Sequence, residues 1–136
     1  TLQAAILLPK FQAFTEYELS AVNQAAQRYT ERLKDAVVTP YIPNGYTSAW
    51  AQYTIMLRDS ETRGAVQTAL KAQGIPSMIY YPRGIHQQKA YAYLQVTDAW
   101  YPNTLHAAET VLSLPIHPYL EQAQADKISE VIKSCL

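Results

Sequence analysis

From Leu2 to Lys34 the sequence contains no glycine, and Val22, Ala26, Tyr29 and Leu33 recur at the i, i+4, i+7 and i+11 spacing of one helical face. That pattern predicts one long helix, or two joined ones, over residues 2 to 34, about twice the ordinary globular length. Pro9 lacks a backbone donor and collides with the preceding turn, so a kink or break is expected between Leu7 and Lys10. A domain small enough for this chain covers only part of such a helix. The apolar residues around Leu2, Ile6 and Phe14 are therefore expected to pack on a second copy or on protein beyond this domain.

With 136 residues the chain fits one domain, residues 1–136, able to bury a real core. After the helix, Val37 to Tyr41 reads as a short strand cut by Pro40, followed by the turn Pro43-Asn44-Gly45. Ala49, Ala51, Tyr53, Ile55 and Leu57 alternate along one face of a better strand. Asp59 or Ser60 can cap a helix that turns Val66, Ala69 and Leu70 inward and stops at Gly74. Ser77 to Tyr81 reads as a third strand, and Pro82 to Trp100 as a long excursion with one helical turn. Pro102 starts a helix carrying Leu105, Ala108 and Leu112, and Ile128, Val131, Ile132 and Cys135 mark the last helix. The expected fold class is α+β: a small antiparallel or mixed sheet of about three strands, covered by helices, with a long N-terminal helix.

Eleven basic side chains balance eleven acidic ones, so no long-range field gathers nucleic acid or anionic lipid. No apolar run reaches the length of a membrane span, and no signal peptide is expected. The single cysteine, Cys135, closes no internal disulfide, and no Cys/His spacing resembles a zinc site; both agree with a cytoplasmic protein. Eleven tyrosines against two phenylalanines suit an interface or cleft, although several can sit at the core edge with their hydroxyls in water.

Two stretches carry chemistry: GIPSMIYYPRGIHQQKAY, Gly74 to Tyr91, and VLSLPIHPYL, Val111 to Leu120. Together with the opening LQAAILLPKF they resemble the C-terminal part of the DegT/DnrJ/EryC1/StrS family of pyridoxal-phosphate (PLP) sugar aminotransferases. The resemblance implies the small C-terminal domain of a fold-type I aminotransferase, with residues 1–34 as a connecting and dimer-contact helix and the large PLP-binding domain outside this chain. It implies a nucleotide-linked keto sugar as substrate, glutamate as amino donor, PLP in the full-length enzyme and a homodimer. It also places Tyr80, Tyr81, His86 and Gln88 on the sugar side. Gly84 and Ile85 stand where the family has proline and leucine, which leaves the reach of that loop open.

From the residues alone, Tyr80 and Tyr81 read as packing aromatics on opposite faces of a strand end. His86 is divided evenly between function and loop structure, while His106 and His117 read as structural. Lys10, Lys34, Lys71, Lys127 and Lys133 fall on solvated helical surface, and Lys89, in a polar loop, has no device that would lower its pKa. The chain itself is therefore expected to hold no PLP and to be inactive alone. Ser48, Ser60, Ser77, Ser113, His86 and Asp98 are available for a Ser/His/Asp constellation, but no nucleophile elbow of the Gly-x-Ser-x-Gly type supports a hydrolase. The alternative reading is a free-standing, non-catalytic α+β binding or dimerisation module.

Overall fold

A computed structural model describes all 136 residues. Thr1 opens the first helix by accepting the Ala4 amide on its hydroxyl at 3.3 Å. Helix α1 (Leu2–Ala13) passes through one π-helical turn (Phe14–Glu18) into α2 (Leu19–Leu33) without leaving helical geometry. The expected break at Pro9 does not occur. Proline removes one helical bond there, to the Ala5 carbonyl, and residues 1–12 are all exposed, so the freed acceptor is not shut into the core. The departure from α geometry lies instead at the π-turn, where the Leu19 amide reaches back to the Phe14 carbonyl.

Below that turn the expected stripe is buried: Val22, Ala26, Tyr29 and Leu33, joined by Ala25. The other core elements are β1 (Tyr53–Met56), α3 (Ser60–Ala72), α4 (Pro102–Thr110), β2 (Val111–Leu114) and α5 (Gln122–Lys133). β1 and β2 pair antiparallel with Tyr53 opposite Leu114 and Ile55 opposite Leu112, so these four side chains share one face. They meet the buried faces of α2, α3 (Val66, Leu70) and α5 (Ala125, Ile128, Ile132) in a single core. Asp59 caps α3 through its carboxylate to the Thr62 amide at 2.8 Å. The helix ends at Gly74, whose φ of +69° lets the Ile75 amide return to the Leu70 carbonyl at 2.9 Å.

The sheet has two strands where about three were expected: the expected strands Val37–Tyr41 and Ser77–Tyr81 do not form, and β2 stands where no strand was expected. Val38 and Met78 each add a single antiparallel bridge, to Met56 on one side and Ser113 on the other. Bonded pairs in an antiparallel ladder recur every second residue. Two residues beyond Val38 stands Pro40, so the donor that would extend the Val37–Tyr41 strand is missing, and two before Met78 stands Pro76, which stops that bridge on its N-terminal side. Two further corrections concern neighbouring segments. Leu112 lies in β2 and not on the helix from Pro102, which ends at Thr110; pairing with a distant strand overrides the local helical spacing. Ala49 and Ala51 are exposed because Trp50 takes φ +49° and breaks the alternation before Tyr53.

One polar knot ties the long helix to the C-terminal half. Glu18, on the π-turn, is 3% exposed, and both its oxygens accept from Lys10 Nζ, at 2.6 and 2.8 Å. The Tyr119 hydroxyl donates to the same carboxylate and lies 3.4 Å from the Tyr17 hydroxyl. The Lys10 and Tyr119 hydrogen bonds hold the Glu18 carboxyl below its ordinary range, and the same carboxylate pushes the Tyr119 phenol up.

Candidate functional site

The segment between Pro82 and Tyr101 has three short 3-10 turns, Ile85–Gln87, Lys89–Leu94 and Asp98–Trp100, where one helical turn was expected. It folds around one acid. Asp98 is the only carboxylate between Glu61 and Glu109, and it gathers the segment's two ends. His86 Nε2 lies 2.9 Å from Asp98 Oδ1, and Gln87 Nε2 donates to the two Asp98 oxygens at 3.1 and 3.3 Å. A carboxylate only accepts, so Nε2 carries the imidazole hydrogen. Gln87 also accepts the Gly84 amide at 3.0 Å. The His86 ring lies against Tyr101, with centroids 4.9 Å apart, and its side chain is 9% exposed.

Gly84 makes that seat possible. A Cβ at this position would stand 2.6 and 2.7 Å from the His86 ring atoms Cε1 and Nδ1, and 3.0 Å from Thr104 Cγ2. The backbone angles, φ −62° and ψ 153°, suit any residue, so it is ring packing that requires glycine here. Gly84→Ala is expected to drive the His86 ring from Asp98 while leaving the core intact. The check is the His86 Nε2-bound proton in NMR spectra, which should lose its protection from solvent exchange while the Tyr53 and Leu112 amides keep theirs.

The other sequence-selected residues do not join this cluster. The Tyr80 side chain, half exposed, lines a shallow groove of about 300 Å³ with Gln52, Ser77, Met78 and His117. Tyr81 is 75% exposed, and the Gln88 side chain lies in solvent. The cluster thus joins His86 to Asp98, a pair that the sequence offered only as part of a Ser/His/Asp constellation, and to two residues that it did not single out, Gln87 and Tyr101. A lone acid and a lone histidine in one long acid-poor segment were the available signal. All six lysines are exposed, and Lys10 is spent on Glu18, so none has the desolvated setting in which a lysine amine forms a Schiff base. The residues of this chain do not fit a covalently held PLP.

Residues 1–133 match the DegT/DnrJ/EryC1/StrS aminotransferase family. A similar sequence is the UDP-2-acetamido-2-deoxy-3-oxo-D-glucuronate aminotransferase of Pseudomonas aeruginosa, 41% identical over 124 residues that make up 90% of this chain and 33% of that protein. Among solved structures, a DegT DnrJ EryC1 StrS aminotransferase from Brucella abortus superposes with a TM-score of 0.86 at 44% identity, covering 97% of this chain and 34% of its own. S. venezuelae DesV, solved in complex with a ketimine intermediate, gives a TM-score of 0.85 at 26% identity, covering 97% of this chain and 35% of its own. The chain spans about a third of the length of these relatives. Sequence motif, fold and family match agree: the chain belongs to the DegT/DnrJ/EryC1/StrS aminotransferase family.

Proposed function

We propose that this chain is the small C-terminal domain of a PLP-dependent aminotransferase that aminates a nucleotide-linked keto sugar, with glutamate as donor. The exposure of α1 carries this reading beyond the family match. Leu2, Ile6, Leu7, Leu8 and Phe11 are each more than 60% exposed and, at 100° per residue, point to all sides of the helix. A helix apolar all round is a buried helix in the protein that contains it. No helix here is long and apolar enough to cross a membrane, so the cover for α1 is protein: the large domain and the partner subunit of a cytoplasmic homodimer.

In this reading the large domain supplies the lysine and the phosphate cradle, and PLP supplies the chemistry of nitrogen transfer. This chain's share is to bind and orient the sugar. Tyr80, Tyr81 and Gln88 offer exposed phenol and amide groups for that purpose, on a segment whose shape His86 and Asp98 hold. Positioned groups of this kind act through orientation of the reacting carbon.

The test is a chimera in which this chain replaces the matching third of the Pseudomonas aeruginosa relative, assayed on that enzyme's own keto sugar. The chimera should bind PLP and aminate. Tyr81→Phe and His86→Ala should lower sugar turnover about tenfold or more with cofactor content unchanged. Loss of PLP absorbance, with normal activity per remaining cofactor, would place these residues away from the sugar.

A further inference from the structure

A second concavity, outside the Tyr80 to Tyr101 region, lies between α2 and the connection that follows Pro40. Its volume is about 770 Å³, within the range of small-molecule sites. The α2 wall is polar, with the amides of Asn23, Gln24 and Gln27, and the facing wall is aromatic, with Tyr41, Tyr46 and Trp50. Glu16 is the only charged residue along it, and no lysine or arginine lines it. A groove without a cation does not select phosphates or carboxylates.

Trp50 is the unusual member. Its φ of +49° is rare for a bulky side chain and persists only where surrounding contacts impose it, a condition that recurs at ligand sites. The contacts are present. The Trp50 amide donates to Ser48 Oγ at 3.1 Å, its indole Nε1 donates to Asn23 Oδ1 at 2.9 Å, and its ring lies against Tyr53 with centroids 5.3 Å apart. Asn23 also donates to the Ser48 carbonyl at 2.9 Å, so one α2 side chain pins both the loop and the indole. Tyr41 and Tyr46, 81% and 75% exposed, stand uncovered on the same wall.

We propose that this groove binds a neutral saccharide. A pyranose ring has faces of C–H groups, which stack on aromatic rings, and an edge of hydroxyls, which exchange hydrogen bonds with amides. A rigid indole, fixed by Asn23, with two tyrosines opposite the uncharged amides of Gln24 and Gln27 offers both surfaces at once. A peptide helix would need an apolar stripe in place of the polar α2 wall. The proposal is independent of the aminotransferase reading, because it uses none of Tyr80, Tyr81, His86 or Gln88.

The experiment titrates the ¹⁵N-labelled full chain with N,N′-diacetylchitobiose and, separately, with maltotriose. One or both should shift amides in residues 15–30 and 40–50 and the Trp50 indole signal, leaving the Trp100 indole unchanged as an internal control. Tyr41→Ala and Tyr46→Ala change mostly exposed side chains, so the fold should survive, and each should weaken binding by about 3- to 10-fold. If neither sugar shifts the groove, if the shifts centre on Tyr80 to Gln88, or if both variants bind as tightly as the parent, the proposal is wrong.

Discussion

Tyr29→Ala is expected to leave little folded protein at 37 °C. The ring is fully buried, packs on Tyr53 with centroids 5.1 Å apart, and its hydroxyl donates to the Pro115 carbonyl at 2.9 Å. Truncating a buried aromatic to alanine costs about 3–5 kcal/mol, and the Pro115 carbonyl loses its donor as well. A domain of this size has about 5–15 kcal/mol in total. Tyr29→Phe keeps the ring and forfeits only the hydroxyl, which should cost about 1–2 kcal/mol. Burial, and secondarily the neighbouring Tyr53, pushes the Tyr29 phenol far above its ordinary range, so it remains a donor into alkaline solution. Urea unfolding followed by circular dichroism separates the two variants. An alanine variant within about 1 kcal/mol of its phenylalanine counterpart would mean that the ring is not packed as described.

The helix stripes, the Asp59 cap and the Gly74 stop were legible because each is a local pattern with a local cause. Val22 to Leu33, Val66 with Leu70, and Ile128 with Ile132 repeat at helical spacing and are buried accordingly. What was not legible depends on partners distant in sequence. Val111 to Leu114 continues a helical spacing from Leu105, and only its pairing with Tyr53 to Met56 makes it a strand. The absence of the Val37–Tyr41 strand was readable in principle, since Pro40 stands where a ladder donor would be needed, but that argument requires the register, which only the folded chain supplies. The same holds at the candidate site. The motif singled out His86, yet its acceptor Asp98 lies twelve residues on, in a segment without regular periodicity. The Glu18 knot joins residues 101 apart, and no spacing rule reaches that far.

That knot should contribute to the acid response. Glu18→Gln is expected to destabilise the chain near neutral pH and to flatten its loss of stability below about pH 5. The sign follows from the lowered carboxyl. Relative to its ordinary value of 4.5, Glu18 is held down first by its hydrogen bond from Lys10 and next by that from Tyr119. Its contribution is therefore fully present above the unfolded value and is lost as pH falls through the lower folded one. Asp59, lowered first by its hydrogen bond from the Thr62 backbone, loses its contribution in the same direction, so the wild type should weaken in acid even without Glu18. The difference between wild type and variant isolates the knot. Thermal unfolding of both proteins between pH 3 and pH 7 should give curves that converge at the acid end; parallel curves would assign the shift elsewhere. Lys10 is largely exposed, so added salt should narrow the gap at pH 7.

The sheet also has a consequence for how such a domain can diversify. Thr54 and Ser113, whose hydroxyls meet at 2.8 Å, stand 59 residues apart, and the whole excursion from Pro82 to Tyr101 hangs inside the loop they close. Loop closure grows only logarithmically in cost, so even doubling such a loop adds about 0.6 kcal/mol. Outside the core residues of α3, the strands are indifferent to the length and content of the Pro82 to Tyr101 excursion, provided Asp98 and His86 still meet. Such a division lets one scaffold explore many recognition surfaces by insertion, deletion and drift, at almost no expense in the stability that keeps it folded.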